Sequence, residues 1–280
     1  TIAGFGTQQV AALSSVQMGG FTPDTLAGFS LDQVSALNGL QMSGLTTAQV
    51  GALTSLQIGA LSTSAVKGMN TIQVGVLNAL DVQGLTTAEV SIFNSRQLAA
   101  FGNDAISGLN TIQVSTLSSS QVSGLQTAQV NVLTSAEVGA FTTLVVRGLS
   151  TTQIGALTVD ALRGLSVDQV GVLKSLQVSG LTFDQLASLS SLQLGALSTS
   201  GIRGLTTAQL SSLGQVAVLG FGTQQIAALT SVQMGGFTPD TLSGFSVDQV
   251  GAMTSIQISG LTLDQVAALT SLQIGALTTW

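Results

Sequence analysis

Leu45-Thr46-Thr47-Ala48-Gln49-Val50-Gly51-Ala52 runs directly into Leu53-Thr54-Ser55-Leu56-Gln57-Ile58-Gly59-Ala60, and this pair of octads decides the fold. Working outward in steps of eight from Phe5 gives 35 positions ending at Leu277, with no insertion or deletion; 24 are Leu, 9 Phe and 2 Met. The sixth position of the unit (Val10, Met18, Leu26, on to Ile274) is Val, Ile, Leu or Met in all 34 cases. Self-similarity at a fixed period is the signature of a stacked repeat architecture, and a frame held this long predicts one continuous octad-repeat solenoid over residues 1–280.

The second position is Ser, Thr, Asn or Gly in every octad except those of Gln126 and Lys174. These are the preferred helix N-caps, because a short side-chain oxygen accepts from a free backbone N–H of the first turn. Three residues on, Gln or Glu fills 25 of 34 places. Ser/Thr-x-x-Gln/Glu is the capping box, and the apolar first and sixth positions fall where a hydrophobic staple requires them. Pro23 and Pro239 sit at the first helical position, where a missing N–H costs nothing. Nine of ten aspartates take the next position, and Asp81, Glu89 and Glu137 the one after, so every acid faces the positive end of a helix dipole. Lys67, Arg147, Arg163 and Arg203 occupy position seven, at the negative end. A strand reading fails because the invariant apolar positions are five and then three apart, which is not an alternation of period two. The expected fold is therefore all-α: a solenoid of very short capped helices of about six residues, one per octad.

A helix of about six residues is only ~9 Å long and does not persist alone in water. Neighbouring octads must hold it, through the first and sixth side chains together with an apolar fourth such as Leu56, Ile72 or Leu176, all expected to be buried. The five methionines (Met18, Met42, Met69, Met234, Met253) also take core positions, as adaptable filler. Glycine at position eight is expected to end each helix in the left-handed conformation. A second period overlies the first. The fifth-position Gln is replaced at Thr25, Ala65, Ala105 and Val145, then at Ala161, Gly201 and Thr241, in steps of 40 with one slip of 16 between the two series. All seven of these octads end in Gly. Five octads thus make a 40-residue superperiod, either one superhelical turn of five octads or two turns of two and a half.

Composition narrows function by exclusion. Only 6% of residues are charged (6 Lys+Arg, 12 Asp+Glu) against about 25% in an ordinary soluble domain. With no His and no Cys, the usual bases, thiolate nucleophiles and zinc or iron–sulfur ligands are missing, and an enzyme is not expected. Six cations against a net charge of −6 argue against nucleic-acid binding. A mean hydropathy of +0.55 is high, yet Ser, Thr and Gln break every apolar run well short of a membrane span. Asp24 with Asp32, and Asp160 with Asp168, stand one octad apart and read as dipole complements rather than cation ligands. Gly4-Phe5-Gly6 and Gly220-Phe221-Gly222 resemble half a phosphate loop without its Lys and read as turns. Asn70, Asn78, Asn94 and Asn110 read as N-caps. No catalytic, cofactor-binding or metal residue is assigned, and no cofactor. The opening Thr1-Ile2-Ala3-Gly4 carries no signal peptide and reads like a mature or excised segment. Trp280, the single Trp, is either a packing anchor or incidental.

The run Leu-Thr-Thr-Ala-Gln-Val-x-Ala-Leu-Thr-Ser-x-Gln-Ile-Gly-Ala-Leu resembles the octad-rich tracts of very large secreted or surface proteins of Gram-negative bacteria, often described as adhesin- or haemagglutinin-like. The resemblance covers almost the whole chain. It implies extracellular or cell-surface placement and a structural or adhesive role, and brings no catalytic residue. Neither end departs from the motif, so the solenoid is expected to be uncapped and either a piece of a longer array or able to polymerise into a filament with copies of itself, end to end or laterally. The leading expectation is a structural fibre or adhesin stalk. The alternative is a recognition module that binds glycan, a surface or a protein partner through outward-facing third- and seventh-position residues. An ice-binding Thr/Ser ladder (Thr47, Ser55, Thr63, Thr71) lapses at Ala79 and Val159.

Overall fold

A computed structural model describes residues 4–277, so Trp280 lies outside the described residues. Among these residues are 34 α-helices and no strand, one helix per octad, from Thr7–Ala12 to Ser271–Leu277. The octad Leu45–Ala52 shows how each is built. Thr46 is extended (φ −77°, ψ 161°), and its hydroxyl accepts the Gln49 N–H at 3.2 Å. Gln49 Oε1 accepts the Thr46 N–H in return, at 2.7 Å. The helix Thr47–Gly51 then lasts little more than one turn before Leu53 N–H closes it on the Val50 carbonyl at 3.1 Å. Ser, Thr and Asn N-caps behave alike along the chain, as at Ser14, Asn70, Ser118, Thr182 and Thr254. Helices entered from Gly6, Gly102, Gln126, Lys174, Gly214 and Gly222 have no side-chain cap.

The chain divides into two compact units, Thr1–Phe141 and Thr142–Trp280. Within each, helices pack on the third helix along. In the first unit Gly39–Ser43 lies on Thr63–Gly68, and Ser55–Gly59 on Ala79–Gly84; in the second, Val167–Gly171 lies on Ser191–Ala196, and Val247–Gly251 on Ser271–Leu277. First- and sixth-position side chains form the core of both units: Leu45 and Val50, like Leu205 and Ile202, are buried. All five methionines are buried in it. First positions of successive octads touch, as the edge-to-face pairs Phe93–Phe101 and Phe237–Phe245 show, each with centroids 5.2 Å apart.

Two expectations are corrected. No described residue, glycine included, has positive φ; Gly28 and Gly44 end their helices in the right-handed region (φ −82° and −84°). Glycine is required there for space. A Cβ on Gly44 would stand 2.7 Å from Ser15 Cβ and from the Ser15 carbonyl, and one on Gly260 would stand 2.6 Å from the Ser231 carbonyl. Fourth-position apolar residues are also not core: Leu56, Ile72 and Leu176 are more than 70% exposed. The first three helical residues cannot all face inward, and the fifth-position Gln occupies the inner site.

A third correction concerns the superperiod: helices pack on the third one along and a fifth-position Gln reaches back 28 and 31 residues, so neither a turn of five octads nor one of two and a half is formed. At Gly201, where Gln is absent, a Cβ would stand 3.1 Å from the Leu173 carbonyl, leaving no room for a long side chain.

Candidate functional site: an inner glutamine ladder and an outer apolar groove

The fifth-position glutamines do more than complete a capping box. Their side-chain N–H groups cross to the preceding coil and donate to main-chain carbonyls 28 and 31 residues earlier. In the first unit Gln41 reaches Val10 and Leu13 (both 2.7 Å), and Gln113 reaches Val82 and Leu85 (both 2.7 Å). In the second, Gln209 reaches Val178 and Leu181 (3.0 and 2.8 Å), and Gln257 reaches Ile226 and Leu229 (2.6 and 2.7 Å). These side chains are almost wholly buried, as at Gln41, Gln49 and Gln265. The amide suits the position because its oxygen accepts at its own helix N-terminus while its nitrogen donates to another helix's C-terminal carbonyls. In two octads without Gln a hydroxyl substitutes: Thr241 Oγ1 donates to the Leu213 carbonyl at 2.7 Å, and Ser62 Oγ, in the octad of Ala65, to that of Leu37 at 2.9 Å.

Three acids occupy the same buried place in the first unit. Asp81 accepts the Asn78 N–H at 2.9 Å, and Glu89 and Glu137 accept from Thr86 and Thr134 N–H at 2.7 Å. An ionised carboxylate has no hydrogen to offer the coil before it. Burial pushes the Asp81 carboxyl above its ordinary value, against a smaller lowering by the Asn78 N–H.

The aspartates at the second helical position are on the surface. Asp24, Asp32, Asp160 and Asp168 are exposed, and no group of three or more potential metal ligands converges among the described residues. Asp160 pairs with Arg163 of its own helix at 3.4 Å, both exposed, a contact of little energetic weight. Asp104 caps a different helix, accepting the Ala79 N–H at 3.0 Å. Gly6 and Gly222 are helix N-caps, as are Asn70, Asn78, Asn94 and Asn110. The Ser/Thr row is uneven: Thr47 and Ser55 are half-buried, while Thr63 and Thr71 are exposed.

Outside, apolar side chains at third, fourth and seventh positions form lips over glycine floors. Leu31, Leu56 and Leu80 surround a groove floored by Gly59 and Gly84. In the second unit Val167, Leu192 and Leu219 surround one floored by Gly195 and Gly220. The two linings correspond at an offset of 136, three superperiods plus the slip of 16, except that Leu80 has no counterpart in the second lining and Leu219 stands where the first has Gln83. Sequence reasoning missed both the ladder and the grooves. The signal for the first was Gln held at one position without a charged substitute in most octads; for the second, apolar fourth positions recurring in steps of 16 and 24.

These features define a tandem-repeat protein of the helical-solenoid class. A family model described as the ALTTAQ repeat matches residues 247–279. No curated protein matches the chain. No helix among the described residues is long and apolar enough to cross a membrane.

Proposed function

We propose that this chain is a structural repeat protein of the cell exterior, a fibre or stalk segment whose partners are copies of itself. The observation that carries the reading is the glutamine ladder. Each coil is joined to the next by the same side-chain amide on one side and main-chain carbonyls on the other. A further coil of the same sequence, from this chain or another, meets the same groups. An array held this way gains rigidity with length, because each added coil brings its own buried hydrogen bonds and apolar pairs. The resemblance to octad tracts of bacterial surface proteins supports an extracellular site. The shortage of Lys and Arg leaves few positions for trypsin-like cleavage, and the absence of Cys removes redox sensitivity, both fitting an exposed fibre. The reading assigns no catalysis and no cofactor.

Negative-stain microscopy of the purified chain tests it. Long filaments of constant width are expected. Monodisperse short rods that bind a glycan array would replace it with a recognition module.

A further inference from the structure

We propose that the solenoid carries one built-in yielding coil in each unit, Phe101–Gly108 in the first and Leu213–Gly220 in the second, and that the array opens at these two places before it opens elsewhere.

An octad is fastened in two polar ways besides its apolar pair. The N-cap side chain accepts the fifth residue's N–H, and the fifth-position amide bonds both its own N-cap and the preceding coil. Loss of one fastening is common. Gly6, Gly222, Gln126 and Lys174 make no side-chain cap, yet there a Gln oxygen accepts the N-cap N–H at 2.7–2.9 Å. Ala65, Val145, Ala161 and Gly201 carry no amide, yet their N–H groups donate to the N-cap hydroxyl at 3.0–3.3 Å. Among the described octads only those of Gly102 and Gly214 lack both, since neither helix has a side-chain cap and the fifth residues are Ala105 and Ala217.

The missing bonds lie on one side of each coil. Ala105 and Ala217 bring no donor to the Leu77 and Leu189 carbonyls, 28 residues earlier, where glutamine donates in other octads. A glycine N-cap cannot make the substitution that Ser62 makes for Leu37. Toward the following coil both are held: Gln129 donates to the Phe101 carbonyl, Thr241 to that of Leu213 and Gln249 to that of Val218, each at 2.7 Å. Phe101, Ile106, Leu213 and Val218 are buried like their counterparts elsewhere. Packing is thus what joins each of these coils to the one before it, aided in the first unit by an exposed bond from the Ala79 N–H to Asp104 at 3.0 Å. A stacked array opens where its nearest-neighbour junction is weakest. Eight residues drawn out span up to about 29 Å, so a solenoid under tension lengthens first at these two coils.

Native-state hydrogen exchange on the full chain, read residue by residue, tests this. Amides with the same backbone bond are compared within each unit: Ile106 (to the Gly102 carbonyl) with Val122 (to Ser118), and Val218 (to Gly214) with Leu210 (to Thr206). Protection at Ile106 and Val218 should be at least about tenfold lower, the change that loss of about one net hydrogen bond or more brings. Gly102→Ser and Gly214→Ser restore the cap acceptor. Both glycines have extended backbone, and a Cβ on either meets nothing within 4 Å, so the fold accepts the change. Each variant should raise protection in its own coil about threefold or more and leave Val122 and Leu210 as they were. Equal protection within either pair overturns the proposal, as does a serine that leaves its own coil unchanged. Neither result bears on the fibre reading, which does not require a weak coil.

Discussion

Replacing Gln121 by Met separates the ladder from the local capping box. Gln121 is 4% exposed; its oxygen accepts the Ser118 N–H at 2.8 Å, and its nitrogen donates to Phe93 and Val90 carbonyls at 2.8 and 3.2 Å. Methionine has nearly the same length and shape, so packing is largely kept and the polar groups are what change. One buried N–H and at least one buried carbonyl lose their partners, each costing about 1–3 kcal/mol, or roughly 3–5 kcal/mol together. Ser118→Ala removes the cap from the Gln121 N–H (3.3 Å) and the hydroxyl's bond to Gln121 Oε1 (2.8 Å) but leaves the amide's bonds to the preceding coil, and is expected to cost about 1 kcal/mol. Because a repeat array need not unfold in one step, the measurement is native-state hydrogen exchange rather than a global midpoint. In Gln121→Met, protection should fall about 10²- to several times 10³-fold at Ser118 and through both helices that Gln121 joins, Thr87–Ile92 and Ser119–Ser123. In Ser118→Ala the fall should be about fivefold and confined to Ser119–Ser123. Equal effects from the two substitutions, or no change in Thr87–Ile92, would refute the view that the amide holds one coil to another.

Four further substitutions probe the same architecture. Asp81 is 6% exposed and its folded pKa is raised above the ordinary value of 3.8, so the folded chain holds this proton more tightly than the unfolded one. Its contribution is full below the unfolded pKa and lost as pH rises through the folded pKa. Asp81→Asn should therefore raise the thermal midpoint at pH 7, with the gain vanishing near pH 3. Glu89→Gln supplies the missing donor to the preceding coil, and denaturant unfolding should show a gain of about 0.5–1.5 kcal/mol. Gly44→Ala should cost about 1–3 kcal/mol because its Cβ meets backbone and the side chain of Ser15, whereas Gly51→Ala meets nothing within 4 Å and should gain about 0.4–1 kcal/mol. Thermal unfolding of the two variants side by side checks the opposite signs.

Much of the helix level was legible in the octad because its determinants are local. Thr46 and Gln49 are three residues apart, and both bonds between them lie within one octad. Burial of the first and sixth positions followed for the same reason, since a staple is fixed by residues five apart. What could not be read is what spans 28 residues. Gln49 as a local cap and Gln49 as a donor to the Phe21 carbonyl are identical in sequence. Leu56 likewise reads as core by hydropathy, and only the position of the preceding coil leaves it facing out. Gly44 misled for a related reason: a helix C-terminus and a close crossing both select glycine, and φ alone tells them apart.

The first-position carbonyl explains why so polar a residue lies in the core. A helix of five residues has more unsatisfied end groups than internal bonds, so its stability depends on where those groups go. The Leu45 N–H bonds the Met42 carbonyl inside its own helix turn, but the Leu45 carbonyl turns toward the next coil. There the amide of Gln73 receives it at 2.7 Å. Shortening the octad's fifth side chain to Ala removes that donor, and in the octad of Ala65 the neighbouring N-cap hydroxyl of Ser62 takes over for Leu37. At Thr241 the residue's own hydroxyl does so for Leu213. The same carbonyl is served by three different groups. The constant feature is therefore the need of the backbone group, and the identity of the donor is secondary. An amide four positions after a first position, three octads on, meets that need with one side chain and caps its own helix as well. That double use ties the period of eight to the spacing of the coils, and an octad lengthened or shortened by one residue would break both bonds at once.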